Sequence, residues 1–438
     1  MKPWAKRFWI LLSIAIYVAL FFLLAKRTSE LREFLDRYSF RFAFLLGVYV
    51  VGFFPYVKLV RFLFREKKTS EPKHSFLYYV GFLRYGIPIL LCLLPLEIFL
   101  RLNYGDFFQD RDIRRFHPFL QIAPLRNDKT LHVNSHGFRG DEITKEKPKD
   151  VFRIFFLGGS TVFSGEQFYE NTHVGLFEHK LRERYPDRKI EILNAGYQWY
   201  TTEHSLIQYL FKIKDYDPDL IIMWHGVNDF YRSFLTPRFT YGKFESDYSH
   251  FHGPVARVAR EHFKPAPVVR FHLVSMVYLI REFYSKISAD KVANTLFKPV
   301  EISDFPSLAP FKRNLISMVQ ATKADHVELI LGTQPVLYRE GLNQKELDSL
   351  WVYKTMCLQN GKYPNLKSAT LAMNKFNQAT RTVAESYGVT LIDLDAQVPK
   401  SEKYFWDDCH YTKEGQALVG EKLFQFVVDG GFLERKKY

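Results

Sequence analysis

Residues 154–163 read IFFLGGSTVF. Four large apolar residues run directly into two glycines and a serine. A short, unbroken apolar run closed by glycine is the pattern of a strand buried on both faces, as in a parallel sheet. Such a strand has no polar face of its own, so the hydroxyl of Ser160 at its end needs another reason to be there. In open parallel sheets, ligands bind at the carboxyl edge of the strands. The stretch therefore places a candidate nucleophile, Ser160, where substrate would arrive.

Working outward, short apolar runs at 151–157, 189–193, 220–224, 327–331 and 389–394 alternate with amphipathic segments at 173–184, 203–212, 308–323, 366–387 and 413–428. Strand–helix alternation of this kind predicts a parallel sheet with helices on both faces. Residues 230–305 break the alternation. They are aromatic and interrupted by proline, and are expected to form an insertion, a cap over the active edge or a membrane-facing surface, with an apolar helix at 268–287.

The 438 residues carry a formal charge of +14. Residues 1–115 hold 19 basic and nine acidic residues, so they supply most of that excess. Basic residues gathered around apolar segments argue for a membrane rather than a nucleic-acid partner. Residues 8–25 contain no charge and are flanked by Lys6-Arg7 and Lys26-Arg27, long enough to cross a bilayer. Further spans are expected at 42–57 and within 76–100, where Arg84 snorkels or marks the start of a shorter span. Basic residues at the N-terminus and between spans two and three outnumber those between spans one and two by nine to five. By the positive-inside rule the N-terminus is cytoplasmic, and three crossings put the rest of the chain outside. The expected organisation is a membrane region over 1–101, a connector over 102–150 and a catalytic domain over 151–438.

Three further blocks sit at strand ends or in the C-terminal loop. LNAGYQ contains Gly196, WHGVND contains Asn228, and FWDDCHYTKEG contains Asp407, Asp408 and His410. Each is weak alone. Together they supply what an ester-cleaving serine needs: a base for its proton, a carboxylate to fix the base's tautomer, and donors where the oxyanion develops. Asp407 and His410 are three apart, so one turn presents both on one side. Ser160 N–H, Gly196 N–H and the Asn228 side-chain amide form the expected oxyanion hole. Glycine at 196 is expected to let the backbone approach the substrate.

In order and spacing, these four blocks resemble the SGNH/GDSL hydrolase superfamily, over about residues 130–430. The resemblance implies a flavodoxin-like three-layer α/β/α domain, with Ser160 as nucleophile, His410 as base and Asp407 rather than Asp408 as the triad carboxylate. Gly159 stands where the familiar form has aspartate, so the motif does not by itself mean a lipase. The lead-in VNSHGFRGDE, residues 133–142, is similar to that of a bacterial, membrane-anchored subset.

The expected function is a membrane-anchored serine esterase in the bacterial inner membrane with its catalytic domain outside the cytoplasm. Its partners would be the lipid bilayer and an acyl ester on an envelope lipid or glycan. Alternatives are an O-acyltransferase on exported polysaccharide and a catalytically silent binding protein. No cofactor is implied, and the three cysteines have no zinc-ligand spacing. His250 and His252 read as either a metal pair or two exposed loop histidines. Cys357 and Cys409 read as either a bridge or two free thiols. Tyr197, Trp199 and Tyr200 line a groove or pack on the sheet.

Overall fold

The computed structural model describes residues 114–236, 239–253 and 298–434. These belong to one compact unit, Arg111–Val268 with Phe283–Tyr438. The three expected membrane spans and the apolar helix expected at 268–287 lie outside the described residues. Among the described residues, no helix is long and apolar enough to cross a membrane.

The chain begins with a hairpin, β1 (Arg114–His117) and β2 (Gln121–Pro124). The core sequence follows: β3 (Val151–Gly158), α1 (Ser160–Phe163), α2 (His173–Arg184), β4 (Lys189–Asn194), α3 (Thr202–Phe211), β5 (Leu220–Trp224) and α4 (Val227–Tyr231). Next come β6 (Lys298–Val300), α5 (Leu308–Ala324), β7 (Glu328–Gly332), α6 (Gln344–Ser349), α7 (Val352–Met356) and β8 (Lys362–Pro364). The unit closes with α8 (Leu366–Tyr387), β9 (Thr390–Ile392), α9 (Leu394–Gln397) and α10 (Lys413–Asp429).

The central sheet has five parallel strands in the order β4-β3-β5-β7-β9. Counted within the sheet this is 2-1-3-4-5, a doubly wound order whose topological switch falls beside β3. Successive side chains of β3 point to opposite faces. Phe156 meets Phe177 of α2, whereas Phe155 meets Phe138 and packs toward Tyr216. Helices α2 and α10 pack together, and α3, α5 and α8 form a second group. All five residues of β5 are buried, as a central parallel strand requires.

The helices start where side chains satisfy their free N–H groups. Thr172 accepts from Gly175 N, Asn365 from Ser368 N and Thr412 from Gly415 N. Helix α8 stops at Gly388, whose φ of +59° suits a residue without Cβ.

The stretch read as a connector folds against the domain from Arg114 on. Arg139 and Asn194 exchange two backbone hydrogen bonds, so residue 139 extends the sheet beside edge strand β4. The Arg139 side chain is wholly buried and donates to the carbonyls of Leu131, Phe163, Ser164 and Gln167. It ties the lead-in segment to the turn that follows Ser160.

Candidate active site

Ser160 opens α1 immediately after β3. Gly158 and Gly159 let the chain turn there. A Cβ on Gly158 would stand 2.1 Å from Val162 Cγ2, and one on Gly159 would stand 2.6 Å from Asn228 Nδ2. The short helix is held from below. Asn194 Nδ2 donates to Val162 O at 2.7 Å, while Arg139 takes the carbonyls of Phe163 and Ser164.

The C-terminal loop supplies the facing groups. Asp407 Oδ1 accepts from the backbone N–H of Cys409 and His410 at 2.9 and 2.8 Å, forming the turn that the three-residue spacing implied. Asp407 Oδ2 lies 2.7 Å from His410 Nδ1, and His410 Nε2 lies 2.8 Å from Ser160 Oγ. An ionised carboxylate only accepts, so Nδ1 carries the proton and Nε2 is left to accept from the serine. Asp407 is fully buried, and the His410 side chain is 17% exposed. Burial lowers the histidine's proton affinity, but the Asp407 carboxylate and the adjacent Cys409 together outweigh it and hold the pKa well above the ordinary value. Burial raises the pKa of Asp407, and the opposing His410 brings it below the usual carboxylate range.

Asp408 points elsewhere. It accepts from Val352 N, Tyr353 N and Tyr338 OH, at 2.8, 3.1 and 3.0 Å, and so anchors the start of α7. Burial and then the neighbouring Asp407 push its pKa up to about 7.

The three expected oxyanion donors stand differently. Asn228 is on the first turn of α4, with its amide against the Gly159 backbone and one N–H on Tyr200 O at 3.0 Å. The Gly226–Val227 turn is fixed by Gln334, whose Oε1 accepts from Val227 N. Gly196 N–H donates to Asn194 Oδ1 at 3.0 Å, so it already has a partner. The reason for glycine at 196 also differs from the expectation. A Cβ there would stand 2.9 Å from Val162, so the constraint is packing under the serine turn rather than substrate approach.

The structure resolves readings that the sequence left open. His250 is 2% exposed, not a surface loop residue, and its ring lies against Arg232 O and the Glu245 backbone. Cys357 and Cys409 are free and buried. Tyr197 and Tyr200 are fully buried, packing against Phe163 and each other. Trp199 is half-buried against Phe239 and Phe251.

Asp407, Cys409 and His410 bring ligand atoms within 4.8 Å of one another. Burial pushes the Cys409 thiol up to about 12, so it lacks the thiolate that a metal takes. The set fits proton transfer better than coordination.

Three contributors escaped the sequence reading. Asn194 lies inside the LNAGYQ block and braces both Val162 and Gly196. Trp406 stacks on the His410 ring, with centroids 5.3 Å apart. Glu166 carries a buried Oε1 without a partner among the described residues, and burial raises its pKa against the opposing pull of His410. Of these, only Asn194 and Trp406 stood in blocks that the motif reading singled out.

The profile of the GDSL-like lipase/acylhydrolase family matches residues 156–418. Among solved structures, an acetylxylan esterase from Geobacillus stearothermophilus is 14% identical, covering 64% of this chain and 95% of its own, at a TM-score of 0.37. A GDSL-like lipase from Bacteroides thetaiotaomicron is 12% identical, covering 66% and 93%, at 0.37. An α/β hydrolase enzyme from the metagenome of Lake Arreo, Spain, is 16% identical, covering 64% and 96%, at 0.36. No curated protein matches the sequence. With a family profile aligned over more than half of its length, the chain belongs to the GDSL-like lipase/acylhydrolase family and is an ester-hydrolysing enzyme.

Proposed function

We propose that this protein is a membrane-anchored serine esterase that cleaves an acyl ester on a cell-envelope lipid or glycan through Ser160, His410 and Asp407. The observation that carries the catalytic part is the continuous hydrogen-bond chain from Ser160 Oγ through His410 to Asp407.

The chemistry follows from that chain. Ser160 Oγ attacks the acyl carbon while its proton passes to His410 Nε2. Negative charge moves to the carbonyl oxygen, where Ser160 N–H and Asn228 Nδ2 meet it, with Gly196 N–H as a third donor shared with Asn194. The bond to the leaving alcohol breaks, and the alcohol takes the proton from His410. Water then gives a proton to His410 and attacks the acyl-enzyme, and Ser160 recovers its own. Asp407 stays ionised throughout and holds the imidazolium. A positioned base contributes about 10²–10⁴-fold and one oxyanion donor about 10²–10³-fold.

Anchoring rests on the apolar segments at 8–25, 42–57 and 76–100 and their flanking charges. A site tethered beside a bilayer meets esters of that envelope first, with the catalytic domain outside the cytoplasm of a bacterial cell. Replacing water with a sugar hydroxyl converts the same acyl-enzyme into an O-acyltransferase.

The test is a fluorophosphonate probe on the detergent-solubilised full chain, beside Ser160→Ala and His410→Ala. Labelling lost in both variants is expected. Folded protein that does not label would overturn the activated serine and favour a silent binding protein.

A further inference from the structure

One face of the domain gathers positive charge and exposed aromatic surface, and neither serves the catalytic site. Phe119, at the tip of the β1–β2 hairpin, and Phe211, at the end of α3, are 71% and 76% exposed. They are the two most exposed large apolar side chains among the described residues. Their rings stack on each other with centroids 6.3 Å apart and planes 17° apart. A stacked pair left in water is costly unless something apolar covers it.

The cations adjoin this pair. Lys212 follows Phe211, and its Nζ donates to His136 O at 2.7 Å while lying over the Phe138 ring. Arg126 stands beside it: a Cβ placed on Gly137 would be 3.7 Å from Lys212 Nζ and 4.0 Å from Arg126 Nε. Arg115, on β1, completes the group, and its Nε is buried with no hydrogen-bond partner among the described residues. Among the described residues, none of the three forms an ion pair with a carboxylate. Burial and then the charges of Arg126 and Arg115 depress Lys212 to about 7. Burial and the same cluster lower His117. These charges repel one another, and an anion placed among them would relieve that repulsion.

We propose that Arg115 and Arg126, with Phe119 and Phe211, form a docking surface for the anionic headgroups of a phospholipid bilayer. A soluble phosphate would use the cations but leave the Phe pair in water. An anionic lipid interface uses both, because aromatic rings enter the headgroup region while basic residues meet its phosphates. Chain length agrees. Residues 101–113 separate the last expected span from β1, and extended at about 3.5 Å per residue they reach roughly 45 Å. This last argument rests on the membrane-anchor reading; the cation and aromatic cluster does not.

The test uses the full chain in nanodiscs of phosphatidylcholine, with or without phosphatidylglycerol, read by amide hydrogen exchange over residues 115–121 and 207–213. Slower exchange in the phosphatidylglycerol discs is expected, weakening as salt is raised. It should be lost in an R115Q/R126Q double variant, with roughly fivefold weaker binding for each arginine removed, and reduced in F119S/F211S. Probe labelling of Ser160 should be unchanged in both variants. Equal exchange in the two discs would overturn the proposal. So would protection that persists in R115Q/R126Q, or that inorganic phosphate reproduces with phosphatidylcholine alone. A chain that never enters discs would refute the anchor but not the surface. Co-sedimentation with phosphatidylglycerol vesicles then decides the surface, and failure to sediment overturns it.

Discussion

Ser160 and His410 stand 250 positions apart in the chain and 2.8 Å apart in the fold. The contact joins the end of the first sheet strand to the loop before the last helix. It exists because the Asp407 turn aims the imidazole back across the sheet edge. Losing either end of this contact should cost about 10⁴–10⁶ in kcat for a simple acyl ester. Ser160→Ala and His410→Ala should show nearly equal losses that do not add in the double variant. Steady-state hydrolysis of p-nitrophenyl acetate by the three variants checks this, and additive losses would separate the two residues.

The pH profile should identify the base. Only neutral His410 accepts the serine proton, so activity is present above its pKa and lost below it. Burial depresses that pKa, but Asp407 raises it further, so the acid limb of kcat/KM should lie above the ordinary histidine value of about 6.5. Asp407→Asn removes the main upward pull and leaves burial opposed only by Cys409, so the midpoint should move down along with a large loss of rate. Identical midpoints in the two proteins would assign the limb to another group.

In the proposed mechanism Asn228→Ala removes a side-chain donor from the developing oxyanion. The expected cost is about 10²–10³ in kcat with KM little changed. Gly159→Ala should act in the same direction with Asn228 still in place, because the added methyl would stand 2.6 Å from Asn228 Nδ2 and displace it. Circular dichroism and melting curves distinguish this local displacement from unfolding.

Arg139 is a stability position. Arg139→Met would leave the carbonyls of Leu131, Phe163 and Gln167 without their side-chain donor, while Ser164 O keeps the Gln167 N–H. Each orphaned group costs about 1–3 kcal/mol, so a loss of at least about 3 kcal/mol is expected. Lysine cannot reproduce the guanidinium fork, so Arg139→Lys should rescue little. Urea unfolding measures both.

Asp229 should make stability depend on pH. Burial outweighs its hydrogen bonds from Thr202 and Tyr248 and holds its pKa near 6, above the unfolded value near 3.8. A raised carboxyl pKa gives stability that is full below the unfolded value and is lost as pH rises through about 6. The loss is about 3 kcal/mol. Asp229→Asn should flatten the denaturation midpoint over that window, while an unchanged slope would point to another carboxyl.

Local sequence alone specifies the sheet strands, the long helices and the order of the four blocks. Apolar runs of strand length and 3.6-residue periodicity are local signals, and they place 151–157, 220–224 and 366–387 within a residue of their elements. It also placed Asp407 with His410, because a three-residue spacing closes within one turn. That Asp408 serves α7, that position 196 is glycine because of Val162, and that Arg139 braces the serine turn emerge only from the folded packing. Those roles depend on which distant backbone atoms approach each side chain. That approach is set by the packing of strands and helices around the sheet, and it leaves no periodic trace along the chain.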